Sequence, residues 1–299
     1  MAKITLEVIA EELQSLHKLL LGEGSPYAKT QMVNSDGGSA DIIDGAIHVT
    51  KPEKEYFTEV AKGNIAGSSL VHKFGRNDAV PNGSWAFISL TGMTGFGIAT
   101  PVAARIKSGG NAADTAAGNG ARAVIVQGID STGAEVTETI VTAGASASSA
   151  TTKTWWRIHR AWVSAVGTYG VANTGAIIVE TTGGVAVITI AAGEGQTQKA
   201  VYTIPIDKTG YLLSLTISVD SNKTANVRLM TRENITTVDA PVSSKRIKLH
   251  FDGVVNQFQY TTRSASLVLQ PLTDIWVEGW GDGAVSQISA NFEILLVDN

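Results

Sequence analysis

Apolar and polar positions alternate with a period of two over most of the C-terminal half of the chain, and this pattern predicts strands rather than helices. Leu213, Leu215, Ile217 and Val219 fall on one face, with Ser214, Thr216 and Ser218 on the other. Ile247, Leu249 and Phe251 oppose Arg246, Lys248 and His250, while Ile288, Ala290, Phe292, Ile294 and Leu296 line one side of a final strand. One dry face and one wet face is the mark of antiparallel sheet. Further upstream, Arg122 to Ile129 and Ala134 to Thr142 flank Asp130-Ser131-Thr132-Gly133. Ala176 to Glu180 and Val185 to Ile190 flank Gly183-Gly184. Each pair predicts a hairpin.

The period changes at the N-terminus. Leu6, Ile9, Leu13, Leu16 and Leu20 follow the spacing of a coiled-coil seam and predict an amphipathic helix that Thr5 can N-cap and Gly22 can end. Two heptads are too few to hold a coiled coil alone. The helix therefore either packs on its own domain or serves as a self-association or docking helix. Residues 23–101 are glycine-rich and irregular, with short extended pieces at Ala46 to Thr50 and Trp85 to Leu90. They read as an extended arm that orders against neighbours. The expected organisation is a helix over 1–22, the arm over 23–101, a β-sandwich module over 102–193 and a jelly-roll-like β-sandwich over 194–299. About eight strands separated by turns in the last module suggest the jelly roll, and the fold class is mainly β and antiparallel.

Composition supports sheet and narrows function. Charged residues make up only 17% of the 299-residue chain, so Thr, Ser, Asn and Gln must supply much of the polar surface. Net charge is −4 and no dense cationic footprint stands out, which argues against nucleic-acid binding. The densest basic stretches, Trp155 to Arg160 and Ser244 to Lys248, read as strands with cations alternating outwards. The absence of cysteine excludes disulfides and thiolate metal sites. Glu7, Glu11 and Glu12 interrupt any apolar core of a signal peptide, and no run reaches the roughly 20 apolar residues of a membrane span. The expectation is synthesis in a host cytoplasm and no membrane partner.

No catalytic motif emerges. The histidines His17, His48, His72, His159 and His250 are scattered, and no metal or cofactor is predicted. Three carboxylate pairs are near enough in sequence to bear on glycosidase chemistry: Asp41/Asp44, Glu135/Glu138 and Glu278/Asp282. Glu135 and Glu138 should point to opposite faces of a strand, and the other pairs read as solvated charges near turns. A loose calcium site at Asp36 or Asp282 is the most that hard oxygen ligands there would support. Tryptophans carry more information. Trp155, Trp156 and Trp162 cluster, and Trp276 and Trp280 share one strand face. They fit core packing, a subunit interface or a glycan platform, and at Trp155-Trp156 one ring should point in and the other out.

Ala121 to Ile140 read A-R-A-V-I-V-Q-G-I-D-S-T-G-A-E-V-T-E-T-I. This resembles a strand pair of virion structural proteins from tailed phages, many of them marine. Trp156 to Val163 followed by Gly175-Ala176-Ile177 is similar to the next part of that pattern. So is Gly195-Gln196-Thr197 leading to Tyr202 to Pro205 and Lys208 to Leu212. The likeness covers about residues 120 to 230 and does not reach the N-terminal helix. It implies a capsid decoration or cement protein, or else a fibre or tail part with a receptor- or glycan-binding role. It implies no catalytic residues. The expected partners are further copies of the chain, as a homotrimer, and a major capsid protein, with the N-terminal arm gripping neighbours in the virion.

Overall fold

A computed structural model describes residues 55–91, 96, 98–261 and 267–299, together with the backbone of 32–33, 39–43 and 46–50. The chain divides into two compact units, Met1–Glu59 and Val60–Asn299. The first contains a three-stranded antiparallel meander of β1 (Met32–Val33), β2 (Ser39–Ile43) and β3 (Ala46–Thr50). A short helix, α1 (Tyr56–Ala61), lies at the boundary. The helix expected over 5–21, with Leu6, Ile9, Leu13, Leu16 and Leu20, lies outside the described residues.

The second unit is a β-sandwich carrying a second β module. One sandwich sheet runs β4 (Ser68–Val80), β19 (Ser286–Asp298), β13 (Lys208–Val219) and β16 (Gln257–Thr261), with β17 (Leu267–Leu269) continuing the β16 edge. The other runs β12 (Val201–Thr203), β18 (Asp274–Asp282), β14 (Thr224–Arg232) and β15 (Arg246–Val254), with β5 (Ala86–Phe87) extending the β12 edge. Counting β5 with β12 and β16 with β17 as interrupted single strands leaves eight. In chain order these fall as first, eighth, third, sixth in one sheet and second, seventh, fourth, fifth in the other. That is the double-Greek-key order of a jelly roll.

Alternation explains why these strands pack. Ile288, Ala290, Phe292, Ile294 and Leu296 of β19 are all buried against Val227 and Leu229 of β14 and Ile275 and Val277 of β18. Each of these side chains larger than alanine contributes roughly 1.5–3 kcal/mol when removed from water. In β13 a bulge between Leu212 and Ser214 re-aims the chain, so Leu212, not Leu213, joins Leu215, Ile217 and Val219 in the core. In β15, Leu249 and Phe251 pack on the core while Ile247 is half exposed.

The inserted module holds β6 (Val102–Lys107), β7 (Ala121–Asp130), β8 (Glu135–Val141), β9 (Thr154–Val166), β10 (Ile177–Thr181) and β11 (Ala186–Ile190), in the order β11-β10-β6-β9-β7-β8. Both expected hairpins form, with Ile129 opposite Glu135 and Ile177 opposite Ile190. β6 and β9 share only the pairs Val102–Trp155 and Ala103–Thr154, so the sheet folds at that seam and all six strands enclose one core.

The sandwich is not confined to residues 194–299, as the sequence suggested. Its first two strands come from the segment read as an arm, and the module over 102–193 interrupts the second of them. The inward positions of β4 include Lys73 and Gly75, so the strand lacks an apolar stripe to announce it. A Cβ on Gly75 would stand 2.2 Å from the Ala200 backbone nitrogen, so only glycine lets β4 approach the opposite sheet this closely. The chain leaves and re-enters the sandwich through a paired stalk, with Ser89 bridged to Lys199 and the Leu90 N–H donating to the Gln198 carbonyl at 3.1 Å.

Candidate functional site

The polar chemistry of the second unit concentrates where β9 of the inserted module meets the jelly roll. Strand β9 does not alternate simply. Opposite β7 it pairs Asp130 with Trp155, Ile129 with Arg157, Gly128 with Ile158 and Gln127 with Arg160, so Trp156 and His159 each stand without an opposite partner. These are two β-bulges, and each re-aims the side chains beside it. Trp155, Ile158 and Ala161 consequently face the module's own core. Trp156, Arg157 and His159 turn to the jelly roll instead. Gly128 permits the second bulge, since a Cβ there would sit 1.9 Å from the Arg157 carbonyl oxygen.

Arg157 is 2% exposed and reaches Asp274, at the start of β18, which is fully buried. Its Nε lies 3.0 and 3.2 Å from the two carboxylate oxygens, and its Nη2 donates at 3.1 Å. Nη1 donates to the carbonyls of Ile98 and Trp156 at 3.1 and 2.6 Å, and the guanidinium lies over the Phe96 ring. Thr203 donates its hydroxyl to Asp274 at 2.8 Å. A two-pronged, fully hydrogen-bonded pair of this kind suits a buried charge. Beside it, Trp156 packs with Ile129, Ile235 and Leu272, an apolar contact drawn from both parts.

A second cluster is built on Glu135 of β8. Gln127 Nε2 donates to its Oε1 at 3.0 Å, His159 Nε2 lies 2.9 Å from the same oxygen, and the Tyr202 hydroxyl donates to Oε2 at 2.8 Å. Burial pushes His159 down to about 4, with the charge of Lys73 assisting and Glu135 opposing. The ring is therefore neutral near pH 7 and gives its Nε2–H to Glu135. Burial alone would raise Glu135, but hydrogen bonds from His159 and Tyr202 and the charge of Lys73 hold it below its ordinary value. Burial raises Tyr202, with Glu135 adding to the effect. Lys73 and Lys199 are both pushed down to about 7 by burial, against the pull of Glu135 and Asp274 respectively.

Several expectations change here. The cations of Trp155 to Arg160 do not all alternate outwards, because the outer face of β9 is covered by the jelly roll. Trp155 and Trp156 are both buried for the same reason, one on each side of the strand. Trp155 also donates its indole N–H to Thr151 at 3.0 Å. Trp162 is half-buried under Arg160. Trp276 is buried among Phe87, Phe96, Val201 and Met230. Trp280 stays half-buried, 5.7 Å from Trp85, which in turn lies 4.0 Å from the Arg228 guanidinium. Of the carboxylate pairs, Glu135 and Glu138 take different partners, Glu138 accepting the N–H groups of Thr152 and Lys153. Glu278 is not solvated but buried, accepting from Arg228 and Trp276 at 2.8 Å each, while Asp282 is exposed. Asp36 and Asp44 and the side chain of Asp41 lie outside the described residues. Among the described residues no three His, Asp or Glu side chains gather as metal ligands. No described helix is long and apolar enough to cross a membrane, which says nothing of a β-barrel.

The groups that matter most at this junction, Arg157, Asp274, His159, Glu135, Tyr202, Lys73 and Lys199, belong to no motif. One signal in the sequence bears on them: Gly128, isolated inside a strand pattern, marks a bulge or a close backbone approach.

No protein-family model matches the chain, and no curated protein matches it. Among solved structures, that of the infectious bursal disease virus Gt strain aligns at 9% identity over 83% of this chain and 75% of its own, with a TM-score of 0.24. T=1 particles derived from infectious bursal virus align at 9% identity over 78% and 70%, with a TM-score of 0.23. The VP2 subviral particle of infectious bursal disease virus gives 10% identity over 77% and 72%, also at 0.23. Superpositions this loose carry no argument about fold or function.

Proposed function

We propose that this protein is a structural component of a virus particle, specifically a capsid decoration or cement protein of a tailed phage, acting through its surfaces and not as an enzyme. The observation that carries the reading is the use of the buried polar groups. Arg157, Asp274, Glu135, His159 and Tyr202 tie the inserted module to the jelly roll, leaving sheet edges and loops as the outward features. A rigid two-module block of this kind suits a part that must bridge neighbours under mechanical load, where many modest contacts multiply. The resemblance of residues 120 to 230 to phage virion proteins points the same way. In this reading copies associate about a local symmetry axis, and residues 1–54 act as the arm that grips the shell.

Purified particles tested by mass spectrometry and cryo-electron microscopy should contain the chain in stoichiometric copy number. Particles lacking it should break at lower temperature or osmotic stress. Absence of the chain from purified particles overturns the proposal. Incorporation of a 1–54 deletion with unchanged particle stability overturns the role of the arm.

A glycan-binding module on a fibre or tail is the second reading, and the half-buried Trp85–Trp280 pair beside Arg228 and His250 favours it. It requires saccharide binding that Trp280→Ala removes without unfolding, and a glycan array without hits eliminates it.

A further inference from the structure

A cleft of about 430 Å³ lies between the segment leading into β6, at Phe96, Ile98 and Ala99, and the segment joining β14 to β15, at residues 233–243. Its volume falls within the roughly 300–1,000 Å³ of pockets that hold small organic molecules. The two ends of the cleft differ. Ile98, Ile235 and Arg157 are buried and close one end, whereas Val238 and Val242, 44% and 53% exposed, stand at the mouth. An apolar body entering here meets apolar side chains on both walls.

The wall formed by the β14–β15 segment is set by its backbone. Asn234, which lines the cleft, and Leu272 beside it both have a φ of 55°. Residues other than glycine rarely adopt that conformation, and it recurs where a ligand is clamped. The Ile235 N–H donates to the Leu272 carbonyl at 3.2 Å, and the Thr237 N–H to the Asn234 carbonyl at 3.0 Å. The wall is thus shaped before any ligand arrives.

The charged groups of the lining are not equivalent. Arg157 is engaged by Asp274 and by the Ile98 and Trp156 carbonyls, with the Phe96 ring over its face. Glu233, the one acidic side chain of the lining, pairs with Arg246 at 3.5 Å. The Arg232 side chain is 38% exposed, and among the described residues the one carboxylate in ion-pair range of it is Asp274, 3.7 Å from Nη2. That separation is beyond hydrogen-bond reach, and Asp274 already accepts from Arg157 and Thr203. Arg232 therefore has donors to offer, and a planar guanidinium matches a carboxylate with two parallel hydrogen bonds.

We infer that this cleft binds a small organic acid with one carboxylate and an apolar alkyl or aryl body. The carboxylate accepts from Arg232, and the body lies between Phe96 and Ile98 on one side and Ile235, Val238 and Val242 on the other. A single charge suits a site with a single unengaged guanidinium. A free acid suits it better than a peptide running through, because the buried end offers no exit. The inference does not depend on the role in a particle.

The test is isothermal titration calorimetry of the full chain at pH 7 with phenylpropionate and octanoate, against phenylpropionamide, joined to methyl NMR of the isoleucines and valines. Saturable binding of the acids and not of the amide is expected, with shifts at Ile98, Ile235, Val238 and Val242. Arg232→Met should weaken binding at least about tenfold, in line with the loss of a charge-assisted pair. Val242→Asp, at the exposed mouth, should weaken it by repulsion, while Val141→Asp, exposed on β8 and outside the cleft, should leave it unchanged. No saturable binding of either acid, equal affinity for acid and amide, or unchanged affinity in Arg232→Met or Val242→Asp overturns the assignment. So does binding of a peptide that ends in phenylalanine when the free acids fail, which would make the cleft a protein-docking site.

Discussion

Replacing Arg157 by Met tests whether the junction is held as described. The substitution removes three N–H contacts of 3.0–3.2 Å and leaves the Asp274 carboxylate at 0% exposure. The Thr203 hydroxyl at 2.8 Å, the Arg232 guanidinium at 3.7 Å and the more distant charge of Lys199 would remain beside it. Breaking one side of a buried, hydrogen-bonded ion pair destabilises by about 3–5 kcal/mol, because the surviving charge has lost its compensation. For a unit of this size that corresponds to a melting temperature lower by about 6–20 °C, at roughly 2–4 °C per kcal/mol. Asp274→Leu should be destabilising too, though Arg157 keeps the Ile98 and Trp156 carbonyls and the Phe96 ring. The double variant should be less destabilised than the two singles combined, since it strands no charge. Urea unfolding of all four proteins supplies the cycle, and differential scanning calorimetry shows whether the inserted module and the jelly roll still melt together. Additivity within about 0.5 kcal/mol, or an Arg157→Met cost below about 1 kcal/mol, would refute the claim that this pair locks the modules.

Three other outcomes follow from the same geometry. Gly128→Ala should destabilise by at least the roughly 1–3 kcal/mol of an overpacked core, since its methyl meets a backbone oxygen. Gly183→Ala, whose nearest neighbour is the Thr181 hydroxyl at 3.6 Å, should be near neutral, and urea midpoints compare the two. Trp156→Ala should cost about 3–5 kcal/mol and Trp280→Ala markedly less, by the same measurement, because only Trp156 fills a closed contact between modules. Stability should fall as pH drops from 6.5 towards 4. His159, held at about 4 in the fold against an ordinary 6.5, binds fewer protons folded than unfolded across that window, an effect of up to about 3 kcal/mol. Lys73 and Lys199, at about 7 against 10.5, make stability rise again from pH 7 towards 10.5. His159→Gln should flatten the acid limb in urea unfolding at pH 7, 5.5 and 4.5, and an unchanged limb would remove His159 from the account.

How much of this was legible depended on whether a strand has one wet face. The final strand, with Ile288 to Leu296 inward and Gln287 to Glu293 outward, is read correctly residue by residue because its outer face meets water. The two hairpins are legible through Gly133 and Gly184, both at positive φ in their turns. β4 was hidden, because its inward positions hold a lysine and a glycine where an apolar stripe would be expected. β9 and β18 were misread for a different reason. Each is covered on both faces, so Arg157, His159 and Glu278 occupy positions that alternation assigns to solvent. The insertion was invisible because a strand interrupted between Phe87 and Val201 leaves two short pieces, neither long enough to carry a period.

These errors share a physical origin that bears on function. An outward-facing charge on a strand is ordinarily free, and sequence patterning treats it as surface. When a second module covers that face, the same charges must find partners or shift their protonation, and here they do both. The bulges at Trp156 and His159 allow it, since they deliver side chains to the jelly roll without sacrificing the module's own core at Trp155, Ile158 and Ala161. Beyond the Ser89–Lys199 stalk, the inserted module is therefore held at a second, separate face by the Arg157–Asp274 pair, the Glu135–Tyr202 hydrogen bond and the Trp156 contact. One attachment point would permit rotation about the stalk, whereas two fix an orientation. A part whose task was to open or close over a substrate would gain nothing from the second. A part that must present the faces of its two modules in fixed register to neighbouring subunits requires it.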